Sequence, residues 1–416
     1  MHVEHTELLQ FLLLLAVIIA AAKAAGWVSL RLGQPAVLGE IAAGVVLGPS
    51  VLNILGWPAF PEELGVIVAH LANIGVIFLM FIAGLETDLA KMRQVGRVAG
   101  VVGTAGVFVP LLLGMAAALP FGFPLAQAVF IGVVLTATSV SITVQTLIEL
   151  GRLESREGTT LLAAAVIDDV IAIIVLSVFV ALSGSGGGGL TSVGLVVGRM
   201  VVFFTLAVAG GLWVVRRVIP RAERLPISEG LLASVTMLTL VLAWSAEALG
   251  QVASITGAYI AGALVAAVGF RKEIEHRLRA FTYAILVPVF FVSIGLQTNA
   301  RLLAVPDMPF ATLVVAAAVV GKILGCGGGA WAAGFTASES LRVGVGMVSR
   351  GEVGLIIAGI GLGTGLLTDR GFAVMVIMVL VTTLLTPVLL RAAFPAPRAP
   401  LTEAEAVEQV MGDDGG

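Results

Sequence analysis

Charged residues are scarce in this chain of 416 residues: Asp, Glu, Lys and Arg make up 12% of it, whereas a soluble domain usually contains about 25%. Hydrophobic residues account for 59%, which excludes an ordinary soluble protein. The formal net charge is only −3, and no basic tract interleaved with aromatic residues indicates a nucleic-acid partner. The single cysteine, Cys326, cannot form an intrachain disulfide.

Apolar runs of about 20 residues, the length at which a helix crosses the bilayer, recur along the chain. The first run follows acidic and histidine residues, which favours a span over a cleaved signal peptide. The sequence therefore predicts an all-α polytopic membrane protein. Breaks in the apolar pattern divide it into about thirteen spans: 8–24, 35–54, 66–86, 98–119, 125–149, 159–182, 190–215, 229–249, 255–270, 281–298, 311–335, 343–366 and 371–391.

Positive charge is distributed unequally between the two sets of alternate loops that this count defines. One set contains eighteen Lys and Arg residues and the other three, while Lys322 and Arg350 lie inside spans, which accounts for all 23. By the positive-inside rule, the rich set is cytoplasmic. We therefore expect the amino terminus outside and the carboxyl terminus in the cytoplasm, in a bacterial-type inner membrane.

Thirteen spans also permit internal symmetry between spans 1–6 and spans 8–13. Corresponding helices are then seven spans apart, and an odd offset means that they cross the membrane in opposite directions. This arrangement is an inverted repeat, as found in many secondary transporters.

Two adjacent aspartates, Asp168 and Asp169, interrupt the apolar run "AAAVIDDVIAII". A charge at the centre of a membrane helix costs roughly 2.5–3.5 kcal/mol, so such residues usually mark a functional site. Successive residues of a helix diverge by about 100°, so the two side chains face different surroundings. Because neighbouring carboxylates repel one another, such a pair can exchange a proton for a cation. Alkali cations prefer oxygen ligands of this kind.

Polar residues in two further spans predict interrupted helices. The stretch "LTATSVSITV" contains Thr136, Thr138 and Ser139, although hydroxyls bonded to their own helix would also account for it. The matching stretch of span 12 is "GMVSRGEVGL", in which Arg350 and Glu352 flank Gly351. If both segments unwind, their free backbone groups face each other at mid-membrane, and the two charged side chains compensate the half-helix dipoles.

Lys322 lies near the middle of span 11. A buried ammonium group either loses its proton or pairs with a carboxylate. Asp168 or Asp169 is the expected partner, and the alternative is a lysine that reaches the membrane surface.

Six segments, in this order and spacing, resemble the second family of cation:proton antiporters, most closely the NapA-type bacterial sodium/proton antiporters. They are "RLGQPAVLGEIAAGVVLGPSVL" (31–52), "FLMFIAGLETDL" (78–89), "TATSVSIT" (136–143), "AAAVIDDV" (163–170), "GK" (321–322) and "SRGEVGL" (349–355). The resemblance covers nearly all of residues 8–394. Kef-type potassium systems of the same family usually have Gln-Asp in place of Asp-Asp.

The resemblance implies an NhaA/NapA-like fold, a homodimer, and two discontinuous helices that cross beside the aspartates. It also implies that Asp169 binds Na+, that Asp168 pairs with Lys322, and that Thr138 and Ser139 lie close to the ion. The implied divisions are dimerisation-domain helices at 8–97 and 229–298, core-domain helices at 98–182 and 311–391, a linker helix at 190–215, and a short cytoplasmic tail at 392–416 without a nucleotide-binding domain.

The function expected from the sequence is electrogenic Na+/H+ antiport by alternating access, with no cofactor and no enzymatic activity. A K+/H+ antiporter on the same scaffold and a sodium-coupled organic solute symporter remain open, and Li+ is a further candidate cation. An intramembrane aspartyl protease is disfavoured because its two aspartates come from separate helices. Metalloprotease and serine protease functions are disfavoured because HExxH is absent and no histidine follows His276.

Overall fold

The computed structural model describes residues 2–61, 63–182, 189–223, 228–269 and 271–394, and within these ranges the protein is helical, without a β-strand. The tail expected after residue 394 therefore lies outside the described residues. The α-helices are α1 His2–Arg31, α2 Ala36–Leu47, α3 Glu63–Leu85, α4 Leu89–Ala118, α5 Leu125–Val134, α6 Val140–Glu149, α7 Arg156–Leu182, α8 Gly189–Arg217, α9 Ile219–Glu223, α10 Gly230–Ala248, α11 Ser254–Ala266, α12 Arg271–Phe281, α13 Val287–Leu296, α14 Met308–Lys322, α15 Gly328–Ala332, α16 Ala337–Gly346, α17 Glu352–Gly363 and α18 Asp369–Ala393.

Nine helical segments of the described residues are long and apolar enough to cross a membrane. They contain α1, α3, α4, α7, α8, α10, α12 with α13, α14 with α15, and α18. Two of them include a short π-helical turn, at Thr282–Leu286 and at Ile323–Gly327. Five shorter apolar helices complete the set: α2, α5, α6, α11 and most of α17.

The helices pack in two groups. In the first group, α1, α2, α3, α10, α11 and α13 contact one another. In the second group, α4, α5 and α7 pack with α14 to α18. The groups meet where α6 contacts α2 and α3, and where α18 contacts α2. The aspartate pair on α7 lies in the second group.

Glycines allow close approach at several of these helix contacts. A Cβ atom added to Gly44 of α2 would lie 2.1 Å from the carbonyl oxygen of Val292 in α13. A Cβ atom at Gly84 of α3 would lie 2.2 Å from the carbonyl oxygen of Tyr259 in α11. Only glycine fits at such distances, because small residues let membrane helices pack backbone against backbone.

Candidate functional site

Two helices are interrupted in the middle of the second group. The chain is not helical between α5, which ends at Val134, and α6, which begins at Val140. A second interruption separates α16, which ends at Gly346, from α17, which begins at Glu352. Free backbone groups at such breaks need partners, because buried backbone has no water to bond.

The two interruptions supply hydrogen bonds to each other. The amide of Ser139 donates to the carbonyl of Ser349 at 2.9 Å, and the hydroxyl of Ser349 donates to the carbonyl of Ser139. The hydroxyl of Thr143 donates to the carbonyl of Gly346 at 2.6 Å. A Cβ atom at position 351 would lie 2.7 Å from Oγ and 2.8 Å from Cβ of Ser139, so a larger residue there would crowd the junction. The segments therefore satisfy one another's backbone at close range.

α18 adds a further donor at this junction. The hydroxyl of Thr383 donates to the carbonyl of Arg350 at 2.5 Å. Thr383 is not among the site residues predicted from the sequence. The signal is a row of three buried threonines in an apolar helix, Thr382, Thr383 and Thr386, of which the other two donate to carbonyls of their own helix.

Asp168 forms a buried ion pair with Lys322. Nζ of Lys322 lies 2.7 Å from Oδ1 of Asp168, and both side chains have 0% of their surface exposed. The second carboxylate oxygen, Oδ2, accepts a hydrogen bond of 2.6 Å from the hydroxyl of Thr138. Both oxygens of Asp168 are thus occupied by donors. The pair joins α7 to α14, next to the first helix interruption.

Arg350 is also fully buried and extends towards the same groups. Its Nη2 donates to the carbonyl of Ala318 at 3.2 Å, and Nη1 lies 3.4 Å from Oγ1 of Thr138 and 3.5 Å from the carbonyl of Met347. Met347 follows the last residue of α16, so the guanidinium lies at the negative end of that helix dipole. The side chain of Glu352 is not among the described parts of the structure.

Asp169 faces different surroundings from its neighbour. Its side chain is 8% exposed and lines a small cavity of about 10 Å³, which is room for about one water molecule. The opposite wall of the cavity belongs to the first group of helices and consists of Met80 of α3 with Ile255, Thr256 and Tyr259 of α11. Asp169 therefore lies at the boundary between the two groups.

The structure brings together most, not all, of the residues singled out from the sequence. Asp168, Lys322, Thr138 and Arg350 form one contiguous cluster, and Ser139 lies against Gly351 at the junction. Thr136 is buried, but its hydroxyl donates to the carbonyl of Val133 in the preceding turn.

Two further carboxylates fall within the apolar runs 35–54 and 229–249 and lie away from this cluster. Glu40 of α2 is 3.5 Å from Lys23 of α1. Glu247 is exposed, in the last turn of α10. Glu247 therefore takes no part in the buried cluster.

Comparison with known proteins finds one matching family and several similar relatives. Residues 13–394 match the family described as sodium/hydrogen exchanger, transmembrane. The chain is 40% identical over 387 residues to the Na(+)/H(+)-K(+) antiporter GerN of Bacillus cereus, and the alignment covers 93% of this chain and 97% of that protein. It is 32% identical over 384 residues to a Na(+)/H(+) antiporter of Enterococcus hirae, covering 92% of this chain and 98% of the relative.

The fold is similar to that of a solved structure. The sodium proton antiporter MjNhaP1 from Methanocaldococcus jannaschii matches with a TM-score of 0.65 over 93% of this chain and 97% of that chain. The two sequences are 18% identical. This likeness therefore concerns the fold alone.

Proposed function

Because the chain belongs to the sodium/hydrogen exchanger family, we propose that it exchanges Na+ for protons and that Asp169 binds both ions in turn. The observation that carries this proposal is the different environment of the two adjacent carboxylates. Asp168 forms a fully buried ion pair with Lys322 inside the second packing group, whereas Asp169 lies at the boundary between the two groups and lines a cavity with room for about one water molecule. A carboxylate in that setting is suited to exchange its bound ion.

Competition for Asp169 couples the two flows. The carboxylate binds either a proton or a sodium ion, so each ion excludes the other from the site. Oxygen ligands beyond the carboxylate come from hydroxyls and backbone carbonyls at the helix interruptions, which suit a hard cation. Neutralising Asp169 with either ion lowers the cost of moving the site through the membrane interior.

The proposed architecture has thirteen spans. Nine are the long helical segments, and the other four are α2, α11, the interrupted pair α5 and α6, and the interrupted pair α16 and α17. We propose that the first packing group is the dimerisation domain of a homodimer and that the second is the mobile core. In this proposal, α6 and α16 belong to corresponding spans of an inverted repeat, with the amino terminus outside and the carboxyl terminus in the cytoplasm.

Electrogenic transport is part of the proposal. If the Asp168–Lys322 pair releases a proton in addition to the one from Asp169, two protons return for each sodium ion and the transport cycle carries net charge. In that case, membrane potential drives exchange in the wild type. Lys322→Gln should abolish this dependence, and an unchanged response to an imposed potential would contradict the assigned role.

The decisive experiment measures proton flux in proteoliposomes with a pH-sensitive dye after NaCl is added. Wild type is expected to release protons in exchange for Na+, and Asp169→Asn is expected to abolish the exchange. Glu247→Gln is the matched control, because it neutralises an exposed carboxylate on α10 and should leave exchange intact. Full Na+-dependent proton flux in Asp169→Asn would refute the proposal.

A K+/H+ antiporter is the second candidate, since the name of the GerN relative includes K+ as well as Na+. The same liposome assay decides between them when LiCl, NaCl and KCl are added in turn and in competition. A sodium antiporter responds to NaCl at concentrations at which KCl has little effect. The reverse order would favour the K+/H+ function.

A further inference from the structure

The first turn of α11 brings one hydroxyl to the boundary opposite Asp169. α11 begins at Ser254, and Thr256 lines the same cavity as the Asp169 carboxylate. The Thr256 side chain is 3% exposed. A buried hydroxyl usually has a hydrogen-bond partner. No hydrogen bond from the Thr256 hydroxyl is found among the described residues, and its oxygen is not one of the fully buried atoms without a partner, so it keeps some accessible surface.

Two other buried threonines in this part of the molecule are bonded to their own helix, whereas the buried Thr282 hydroxyl has no hydrogen-bond partner among the described residues. The hydroxyl of Thr239 in α10 donates to the carbonyl of Val235 at 2.9 Å, and the hydroxyl of Thr298 donates to the carbonyl of Ile294 at 2.7 Å. Thr256 differs because the residue four positions earlier lies before the start of α11. Its hydroxyl is therefore available to a ligand in the cavity.

Tyr259, one turn later on the same face of α11, does not offer its hydroxyl in the same way. Its oxygen lies 3.0 Å from Oγ1 of Thr87 and 3.6 Å from the sulfur of Met92, so it is engaged at the end of α3 and the start of α4. Met80 and Ile255 contribute only apolar atoms and a thioether to the same wall. Thr256 is thus the hydroxyl of this wall that remains for a cation or its water.

We propose that Thr256 is a specificity-determining residue, which supplies an oxygen ligand, directly or through one water, to the cation on Asp169 when the first packing group covers the site. This inference rests on the proposed Na+/H+ exchange. A sodium ion that leaves water needs oxygen partners on every side, and without this hydroxyl the wall opposite Asp169 is apolar. A proton on the carboxylate has no such requirement. The hydroxyl therefore favours Na+ binding over proton binding.

The test uses three variants in the full-length protein. Thr256→Val keeps the side-chain volume and removes the hydroxyl, Thr256→Ser keeps the hydroxyl, and Thr239→Val removes a hydroxyl that is bonded within its own helix. We expect Thr256→Val to raise the KM for Na+ by about three- to tenfold, the effect of losing one hydrogen-bond-strength contact. The maximal rate at saturating Na+ should change little, and the other two variants should stay close to wild type.

A binding measurement in detergent keeps the result independent of transport. The Na+ concentration that gives half-maximal thermal stabilisation should rise by the same factor in Thr256→Val, and Thr256→Ala provides a second variant if the valine protein does not fold. An unchanged KM in Thr256→Val, or equal impairment of Thr256→Ser, would overturn this inference while wild-type exchange persists. Loss of Na+-dependent proton flux in the wild type would instead overturn the proposed function itself.

Discussion

Replacing Asp168 by Asn should destabilise the protein strongly, because it leaves the Lys322 ammonium group buried without its carboxylate. The two charges lie 2.7 Å apart and neither side chain is exposed. At an effective dielectric constant of about 20, their attraction is about 6 kcal/mol. Much of this offsets the cost of removing both ions from water, but the loss of one partner alone leaves a net cost of about 3–5 kcal/mol.

A double-mutant cycle tests this reasoning. Asp168→Asn, Lys322→Gln and the double variant are compared with wild type by unfolding in detergent, and the free energy of unfolding is measured for each. Each single variant should lose about 3–5 kcal/mol, and the double variant should lose much less than the sum, since it leaves no unpaired charge. The exposed pair Arg277–Glu273, at 2.9 Å, serves as a control and should show no measurable coupling. Additive losses at Asp168 and Lys322 would refute the pairing argument.

Single contacts elsewhere in the helices also have measurable effects on stability. Glu149→Ala removes the carboxylate that accepts a hydrogen bond of 2.5 Å from the Ala36 amide at the start of α2. Because loss of a helix cap costs about 1 kcal/mol, amide hydrogen exchange in the first turn of α2 should accelerate about fivefold. An unchanged exchange rate would count against the cap. Gly84→Ala places a methyl group against the α11 backbone and should cost about 1–3 kcal/mol of stability, whereas Gly96→Ala faces open space and should have little effect on the unfolding midpoint. Thr383→Val deprives a buried carbonyl at the second interruption of its donor and should cost about 1–3 kcal/mol in the same unfolding assay; wild-type stability would contradict it.

The helical class and the cluster of polar residues were accessible from the sequence because both depend on local composition. A run of about 20 apolar residues predicts a span without knowledge of its neighbours. A charged residue such as Asp168 or Arg350 in such a run has few tolerated locations. The interruption at Gly351 was also predictable, because a charged pair around glycine is a poor continuation of a buried helix.

Relations between distant helices were not accessible from residue types alone. Asp168 and Lys322 are 154 positions apart, and the choice between Asp168 and Asp169 as the lysine's partner depends on how α7 is rotated against α14. Thr383 has the same residue type as Thr382 and Thr386, so nothing local indicates which hydroxyl reaches the neighbouring backbone. The π-helical turn at Ile323–Gly327 keeps the same apolar composition as an α-helix and gives no separate signal.

The orientation of Glu247 on its own helix could not be predicted from the sequence either. The apolar run 229–249 predicts the span that contains this residue, but it does not determine which face of α10 the side chain occupies. Its side chain is exposed in the last turn of the helix, where water or headgroups can solvate it. Depth and orientation together decide the cost of a charge in a membrane helix.

Because the two aspartates are adjacent on α7, their side chains face different packing groups. The Asp168–Lys322 pair lies within one packing group, since α7 and α14 both contact α4. Asp169 faces the other group across the cavity lined by Thr256. A movement of one group against the other would therefore change what Asp169 contacts while leaving Asp168 and Lys322 together. In the proposed exchange, one of two neighbouring carboxylates would thus hold its packing group together while the other binds the cation.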